Sequence, residues 1–302
     1  MQVNQIPKIS IVTPSYNQAQ FLEATIQSIL SQNYPNLEYI IIDGGSTDNS
    51  VEIIQKYQDY LHFWCSEPDA GQYDAINKGF AHSTGEIMAW LNSDDMYFPW
   101  TLKTIASIMT ELPQVEWLTT LSPGFWDWHG FCKGFAHIPG YSRDAFLDGR
   151  YLQWNRLSIN WIQQESTCWR RNLWEKSGSS LSTQFKLASD FDLWARFYAH
   201  ADLYGTESPI GGFRWQSSQR SRHIEQYASE AEQSLQRLQT QLNWKPNQLR
   251  ELAYNWRFDR LPKIRTLSKP LYSYTGKKVV REKFDSSDGY WHIKEHHFGL
   301  LE

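Results

Sequence analysis

The sequence predicts an α/β protein built on a doubly wound, mostly parallel sheet. Short apolar segments typical of buried strands alternate with segments of helical periodicity through the first third of the chain. The strands end in turns rich in Gly, Ser, Asn and Asp, and this edge of an open α/β sheet is where ligands bind. The chain has 302 residues, 41% of them hydrophobic, which suffices for one large domain with an appendage or for two modest domains.

The first third of the chain predicts strands and helices in alternation. The expected strands are 9–14, 37–42, 61–65 and 86–91. The expected helices are 20–32, 51–60 and 74–82. In the first of these helices the apolar residues recur at intervals of three and four, as in Phe21, Leu22, Ile26, Ile29 and Leu30.

The pattern changes beyond residue 110. Residues 113–160 are rich in aromatic residues and glycine, which predicts loops and strands that line a pocket. Helical periodicity returns at 190–198 and, in a polar form, at 224–243. The expected organisation is a domain of residues 1–222, with halves 1–110 and 111–222, and a helical, basic C-terminal extension of residues 223–302.

Bulk composition excludes several function classes. A net charge of −4 gives no reason to expect nucleic acid as a partner. The cysteines Cys65, Cys132 and Cys168 are widely spaced, which favours a reducing compartment. The first residues lack an apolar signal segment, and no apolar run approaches the roughly 20 residues that span a bilayer. These features predict a cytoplasmic protein.

Residues 256–284 carry an excess of basic side chains with aromatic residues between them. The basic residues are Arg257, Arg260, Lys263, Arg265, Lys269, Lys277, Lys278, Arg281 and Lys283. The first interpretation is a solvated basic face. The alternative is contact with an anionic membrane surface, at the inner face of the plasma membrane, or with the diphosphate of a lipid-linked acceptor.

An acidic tip follows the fourth expected strand, where residues 86–91 run directly into residues 92–95 (Asn-Ser-Asp-Asp). Two adjacent carboxylates at the end of a buried strand are costly to desolvate unless a positive charge meets them. A divalent cation that carries phosphates is suited to this, because Mg²⁺ and Mn²⁺ prefer carboxylate oxygens. Asp43, at the end of the second strand, is expected at the same edge. The alternative is that Asp94 and Asp95 only cap the next turn or helix.

The first strand-to-helix turn argues against common nucleotide-binding loops. Residues 13–20 lack the GxGxxG pattern of dinucleotide-binding enzymes, and the chain lacks the GxxxxGK[ST] loop of P-loop ATPases. Tyr16 in this turn is suited to packing on a nucleobase, with Asp43 accepting hydrogen bonds from base or ribose. Alternatively, Tyr16 only covers the sheet edge.

Three segments together resemble glycosyltransferase family 2, which has the GT-A fold. They are Ile-Ser-Ile-Val-Thr-Pro-Ser-Tyr-Asn at 9–17, Ile-Ile-Asp-Gly-Gly-Ser-Thr-Asp-Asn-Ser at 41–50, and Asn-Ser-Asp-Asp at 92–95. Each lies at a strand end and their order matches the family, so the resemblance is specific over about the first 110 residues. A weaker match continues through 164–171 and 188–196.

The resemblance implies a metal-dependent, inverting transfer of a sugar from a nucleoside-diphosphate sugar, with a UDP-sugar favoured. The acceptor would be a hydroxyl of a glycan or lipid-linked acceptor in cell-surface polysaccharide synthesis. The nucleotide-binding half would be 1–110 and the acceptor half 111–222. The donor-binding residues that this implies are Pro14, Tyr16, Asn17, Asp43, Gly44, Ser46, Asp74, Asn77, Ser93 and Asp94.

The resemblance also implies a metal site and a catalytic base. Residues 92–95 occupy the place of the DxD motif of the family, with Asn92 as a departure at its first acidic position. The expected ligands of Mn²⁺ or Mg²⁺ are Asp95 and Asp94. The base is expected at Asp190, with Glu165 in reserve. On local pattern alone Asp190 is equally a helix cap.

Two arginines are further candidates for donor binding. Arg170 and Arg171 are suited to bidentate hydrogen bonds with a diphosphate, although one of them could instead pair with a surface acid. The segment 212–219 carries Gln216 where related enzymes often have a histidine.

Two other functions compete with a transferase. Asn92 and Gln216 are the support for a catalytically silent GT-A domain that binds a glycan or a protein. A nucleotidyltransferase is disfavoured because the chain lacks the glycine-rich, arginine-containing loop that such enzymes use after the first strand.

Overall fold

The computed structural model describes residues 6–152, 158–216, 223–256, 269–284 and 287–299. The strands are β1 (Ile9–Ser15), β2 (Leu37–Asp43), β3 (Phe63–Ser66), β4 (Ile87–Trp90), β5 (Met96–Tyr97), β6 (Trp117–Thr120), β7 (Gly124–Trp126), β8 (Cys132–Phe135), β9 (Cys168–Arg170), β10 (Leu203–Thr206), β11 (Gly211–Arg214), β12 (Ser273–Phe284) and β13 (Ser287–Gly299). The helices are α1 (Ala19–Leu30), α2 (Ser50–Tyr57), α3 (Gln72–Ala81), α4 (Thr101–Glu111), α5 (Arg143–Leu147), α6 (Arg171–Lys176), α7 (Ser189–Tyr198), α8 (Ile224–Gln241) and α9 (Gln248–Asn255).

The main sheet has nine strands in the order β13-β12-β10-β6-β9-β4-β1-β2-β3. Only β9 and β13 run antiparallel to their neighbours in this sheet. A second sheet, with the order β5-β11-β7-β8, lies beside the end of β4. The predicted α/β class with a mostly parallel sheet is therefore confirmed.

The alternation predicted for the first third of the chain is also confirmed, with boundaries shifted by a few residues. The largest shift concerns the second helix, which ends at Tyr57 because Gln58–Tyr60 form a 3-10 turn, and the third strand then begins at Phe63. In the aromatic region 113–160, β6 joins the main sheet, whereas β7 and β8 build the small one.

Tryptophans fill the core beneath the carboxyl end of β4. The ring of Trp90 stacks on Trp194 at 5.8 Å between centroids and meets the edge of Trp169 at 5.5 Å. The ring of Trp117 also stacks on that of Trp194, with 5.7 Å between the ring centroids. Aromatic pairs of this kind contribute about 0.5–1.5 kcal/mol each beyond their buried area. They give the strand that ends in the acidic tip a rigid support.

The C-terminal region corrects the prediction of a helical extension. Helices α8 and α9 form, but β12 and β13 then add two strands to the edge of the main sheet, β12 parallel to β10. The strands form because Tyr274 and Phe298 bury their rings in the main core. Lys277 and Lys278, on the same strand as Tyr274, form ion pairs instead.

The basic face predicted for this region is in part neutralised. Lys277 pairs with Asp202 and Lys278 with Glu207, both at 2.8 Å. Arg257, Arg260, Lys263 and Arg265 lie outside the described residues. Within the described ranges, no helix has both the length and the apolar character that crossing a bilayer requires.

A buried carboxylate ties the amino-terminal edge of the sheet together. Glu38 on β2 accepts hydrogen bonds from Ser10 Oγ at 2.7 Å, from the backbone N–H groups of Thr84 and Gly85 at 2.7 and 3.0 Å, and from Lys8 Nζ at 3.1 Å. Burial alone would raise the pKa of Glu38, but the bonds from Thr84, Ser10 and Lys8 lower it to about 2.

We expect this network to stabilise the fold in a pH-dependent way. Because the pKa of Glu38 lies below its ordinary value of 4.5 in the folded state, its contribution is present above pH 4.5 and is lost as the pH falls toward 2. Glu38→Gln should lower the free energy of unfolding by about 2 kcal/mol at pH 7 and by less at pH 3. Urea unfolding at both pH values measures this.

Glu175→Gln, at an exposed position of α6, is the matched control, and it should change the free energy of unfolding by less than about 0.5 kcal/mol. A Glu38→Gln deficit that stays constant between pH 7 and pH 3 would contradict the proposed role of the charge.

Candidate functional site

The candidate site lies where the carboxyl ends of β1, β2 and β4 meet. Parallel pairing aligns Ser15 on β1 with Asp43 on β2, and Val12 on β1 with Trp90 on β4. The residues that follow each strand therefore gather at one edge of the sheet.

The loops after β1 and β2 are joined by hydrogen bonds. Asp43 is buried and accepts bonds from Ser46 N at 2.8 Å, Gly45 N at 3.2 Å and Ser66 Oγ at 2.7 Å. Asn17, in the left-handed region at φ 52°, donates its N–H to Ser46 Oγ at 2.8 Å. These contacts make a rigid double loop at the expected nucleotide position.

One aromatic ring of this double loop is exposed to solvent. Tyr16 is 60% exposed, which makes its ring accessible for stacking, whereas Pro14 is buried within β1. Gly44 lies against Asp69, because a Cβ at Gly44 would be 2.9 Å from Asp69 Oδ2. The first N–H of α1, on Ala19, donates to Asp48 Oδ2 at 3.0 Å. This helix start therefore already has an acidic partner from within the chain.

The acidic tip after β4 is held from the small sheet. Asp95 is buried and accepts a bond from the backbone N–H of Arg214 at 2.9 Å. Asp94 is half-buried, and its Oδ2 accepts a bond from Gln216 Nε2. The guanidinium of Arg214 donates to the backbone oxygens of Asp94 and Trp128. Arg214 thus orients the tip mainly through backbone groups.

Asn92 is the centre of a hydrogen-bond network. Its Nδ2 donates to Asp95 Oδ2 at 3.2 Å and to Gln164 Oε1 at 3.0 Å, and its Oδ1 accepts a bond from Gln72 Nε2 at 2.7 Å. Gln164 in turn donates to the backbone oxygen of Trp90 at 2.8 Å. The amide at this position connects α3, the acidic tip and the turn at Gln164–Ser166.

Both candidate bases are brought to this edge. Glu165 lies in the turn Gln164–Ser166 and is 4% exposed, and its Oε1 has no hydrogen-bond partner within the described ranges. Asp190 is in the first turn of α7, where it accepts the N–H of Phe191 at 2.8 Å. The hydroxyl of Tyr227 on α8 approaches the two carboxylate oxygens of Asp190 at 3.4 and 3.5 Å.

The acids at this edge interact electrostatically. Burial, followed by repulsion from Asp94 and Glu165, raises the pKa of Asp95 well above its ordinary value. Burial raises the pKa of Asp94 as well. Burial, followed by repulsion from Asp94 and Asp190, raises the pKa of Glu165 to about 8. Burial raises the pKa of Asp190 to about 6.

These acids fit a divalent cation in part. Carboxylate oxygens that raise one another's pKa values are the donors that a hard cation stabilises. Within the described ranges, however, no group of three or more acidic, histidine or cysteine side chains converges as a complete ligand set. Asp94 and Asp95 therefore suit a cation whose remaining ligands come from a bound phosphate and water.

Two of the expected donor-binding residues, Arg170 and Arg171, lie away from the candidate site. Since β9 runs antiparallel to β4, Arg170 pairs with Ile87 at the start of β4 and not at its end. Arg170 donates to the Val115 oxygen at 2.9 Å, and Arg171 to the Gly85 oxygen at 2.8 Å. The structure does not bring either arginine to the candidate site.

Two further expected residues have structural partners. Asn77 on α3 forms a pair of hydrogen bonds with the backbone of Leu181, at 2.7 and 2.9 Å. Asp74 lies at the start of the same helix and accepts a bond from Ala70 N at 3.1 Å. Ser93 is buried within the acidic tip.

Sequence reasoning missed Gln164 and Tyr227 as parts of this site. Gln164 adjoins Glu165, but nothing in the local pattern shows that its amide reaches the end of β4. Tyr227 is on α8, where the sequence predicts a polar helix and nothing in the local pattern points to Asp190.

Comparisons with known proteins give a family match for the first part of the chain. Residues 10–123 match the model of glycosyl transferase family 2. An uncharacterized glycosyltransferase of Rickettsia typhi is 34% identical over 66% of this chain and 61% of its own length. TuaG of Bacillus subtilis, named for teichuronic acid biosynthesis, is 37% identical over 31% of this chain and 38% of its own length. The chain thus spans less than two thirds of either relative.

Solved structures support the same fold. The crystal structure of residues 1–349 of S. aureus TarS, in complex with UDP-GlcNAc, aligns with a TM-score of 0.54 at 18% identity. The alignment covers 72% of this chain and 60% of that one. At this identity the likeness establishes the GT-A fold alone.

We expect Asn92 to be required for the fold of the site. Asn92→Asp would remove both donors and place a carboxylate against Asp95, so the free energy of unfolding should fall by about 2 kcal/mol or more. Chemical denaturation at pH 7 without added metal measures this. Asn172→Asp, at an exposed position of α6, is the matched control. If the two variants proved equally stable, the network would not depend on the amide.

Proposed function

Because residues 10–123 match the model of glycosyl transferase family 2, we propose that the chain transfers a sugar from a nucleoside-diphosphate sugar to an acceptor hydroxyl. The observation that carries this proposal is that acids from separate elements gather at the carboxyl edge of the sheet. Asn92 hydrogen-bonds both to Asp95 and to Gln164, the neighbour of Glu165. Glu165 in turn interacts electrostatically with Asp94 and Asp190. That edge also carries the double loop of Asp43 and the exposed ring of Tyr16.

The donor is proposed to lie across this edge, with a UDP-sugar favoured. Tyr16 would pack on the nucleobase and Asp43 would hold the loop of Gly44 and Ser46 in a binding conformation. The UDP-GlcNAc complex of TarS supports a UDP-sugar as the donor class. Arg170 and Arg171 have no part in this proposal because they contact the opposite edge of the sheet.

Asp95 and Asp94 would hold Mn²⁺ or Mg²⁺, which when bound offsets the negative charge on the departing diphosphate. In the protein, Asn92 and the backbone N–H of Arg214 orient the carboxylate of Asp95, and the Arg214 guanidinium fixes the backbone of Asp94. Gln216 does the same for Asp94. Site residues that are fixed before the substrate binds lower the cost of reorganisation during the reaction.

Asp190 is the proposed general base, and it would take the proton of the acceptor hydroxyl as this attacks the anomeric carbon with inversion. A pKa of about 6 leaves Asp190 mostly ionised at neutral pH and close to the value that suits a base. Glu165, with its pKa raised to about 8, is mostly protonated at neutral pH and therefore suits this role less well.

The acceptor is proposed to be a glycan or a lipid-linked glycan of a cell-surface polysaccharide, and the biosynthetic name of TuaG supports this class. A catalytically silent domain has less support. Both Asn92 and Gln216, the two departures from the family pattern, hydrogen-bond to the acids and leave the carboxylates in place.

We expect Asp95→Asn to abolish metal-dependent binding of UDP, because it removes a charge that holds the cation. Isothermal titration with UDP in the presence and absence of Mn²⁺ measures this. Asp59→Asn, at an exposed position after α2, should bind as the wild type does. Unchanged titration heats for Asp95→Asn would refute its role as a ligand, and a wild type without metal-dependent UDP binding would refute the proposed function.

We expect the turnover of the wild type to rise with pH through about 6, as Asp190 loses its proton, and then to level off. Asp190→Asn should lower kcat by at least about 10²-fold with donor affinity nearly intact. Steady-state kinetics between pH 5 and 8, together with UDP titrations, measure both effects. A variant that kept the same pH dependence and near-normal turnover would assign the base elsewhere.

A further inference from the structure

Four partly exposed aromatic side chains form a continuous surface beside the site. This surface, here named the aromatic shelf, comprises Phe125, Trp161, Phe213 and Trp215. The ring of Phe125 lies 6.3 Å from that of Trp161 and 6.2 Å from that of Trp215. Trp215 lies 6.3 Å from Phe213, so each ring of the shelf has a neighbour in it.

The small sheet directs the shelf toward Glu165. Gly211 and Phe213 alternate along β11 and so share one face, and Trp215 directly follows the strand. Phe125 on β7 pairs with Phe213 in register. A Cβ at Gly211 would lie 2.2 Å from the Glu165 backbone oxygen, so this face packs against the turn that carries Glu165.

A second connection joins the shelf to the turn that carries Glu165. Trp161 precedes Glu165 by four residues, and between them Gln163 donates to the Gly124 oxygen on β7 at 3.2 Å. The shelf therefore adjoins the catalytic edge through two independent connections.

The shelf is not part of the hydrophobic core. Trp215 is 56% exposed although its backbone N–H is fixed by the Trp126 oxygen at 3.0 Å. The indole N–H groups of Trp161 and Trp215 have no hydrogen-bond partner within the ranges that the structure describes. An exposed indole offers an apolar face and an N–H donor at its edge. It is therefore suited to a ligand that is apolar on one face and polar at its rim.

We propose that the aromatic shelf binds a sugar ring of the acceptor glycan. A pyranose presents C–H groups on its faces and hydroxyls around its rim, which match the indole faces and the free N–H donors. Lys133, with its Nζ 5.9 Å from the centre of the Trp215 ring, adds a further donor at the edge. This inference rests on the proposed function, because it names the acceptor subsite of that reaction.

The polar groups around the shelf favour a neutral glycan over an anionic membrane surface. Trp215 has one lysine, Lys133, over its ring, whereas anionic membrane surfaces are bound by clusters of roughly four to eight basic side chains. Hydroxyls of a neutral sugar can instead hydrogen-bond to the carboxyl groups of Asp95 and Asp94, which contact Arg214 and Gln216 on either side of Trp215. A ring stacked on Trp215 or Trp161 would bring the next residue of the glycan toward the acids at the sheet edge.

The test is a binding titration by saturation-transfer NMR with cellotetraose, chitotetraose and mannotetraose as probes. At least one probe should bind the wild type, and Trp215→Ala should weaken that binding at least fivefold, with Trp161→Ala as a second variant. Trp256→Ala is the matched control, because Trp256 is 71% exposed at the end of α9 and outside the shelf. Trp215→Phe, which keeps a flat ring, should retain most of the binding.

The outcomes separate this inference from the proposed function. Binding of UDP with Mn²⁺ should be the same in the wild type and in Trp215→Ala, and its absence from both would overturn the proposed function alone. No binding of any probe to the wild type, or equal binding to Trp215→Ala and Trp161→Ala, would overturn the shelf as a sugar site. Sedimentation with phosphatidylglycerol vesicles that is lost in Trp215→Ala, without effect on the oligosaccharides, would assign the shelf to a membrane.

Discussion

Carboxylates that are withdrawn from water repel one another, which disfavours their charged forms. The site depends on how the fold holds four such acids, Asp94, Asp95, Glu165 and Asp190, at one edge of the sheet. Burial and mutual repulsion raise the pKa values of Asp95 and Glu165, which means that the folded chain disfavours their charged forms. The divalent cation proposed for this edge would relieve the same repulsion. The same electrostatic repulsion is therefore the physical basis for placing the proposed cation at this edge.

Neutral donors hold the carboxylates of the acidic tip, whereas the guanidinium of Arg214 donates to its backbone. Asn92, the backbone N–H of Arg214 and Gln216 hydrogen-bond to the acidic tip. Replacing such amides by carboxylates would add charge where it is already unfavourable. Asn92 is therefore compatible with the proposed transferase activity, because its amide hydrogen-bonds to Asp95.

Two assemblies of aromatic residues have different physical roles. Trp90, Trp169 and Trp194 are packed into the core and support the strand that carries the acids. Trp161 and Trp215 are held by the small sheet but remain accessible beside Glu165. Some of the tryptophans thus make the core rigid, and others form the exposed surface that we propose binds a sugar.

Local pattern determined the alternation of strands and helices, because apolar periodicity and turn residues act over short distances, and family resemblance pointed to the acids at 94, 95, 165 and 190. Tertiary structure decided what depends on strand direction and burial. The antiparallel course of β9 sends Arg170 to the far edge, which its sequence neighbourhood does not reveal. Unequal burial and charge separate the pKa values of Asp190 and Glu165, and long-range pairing makes strands of residues 273–299.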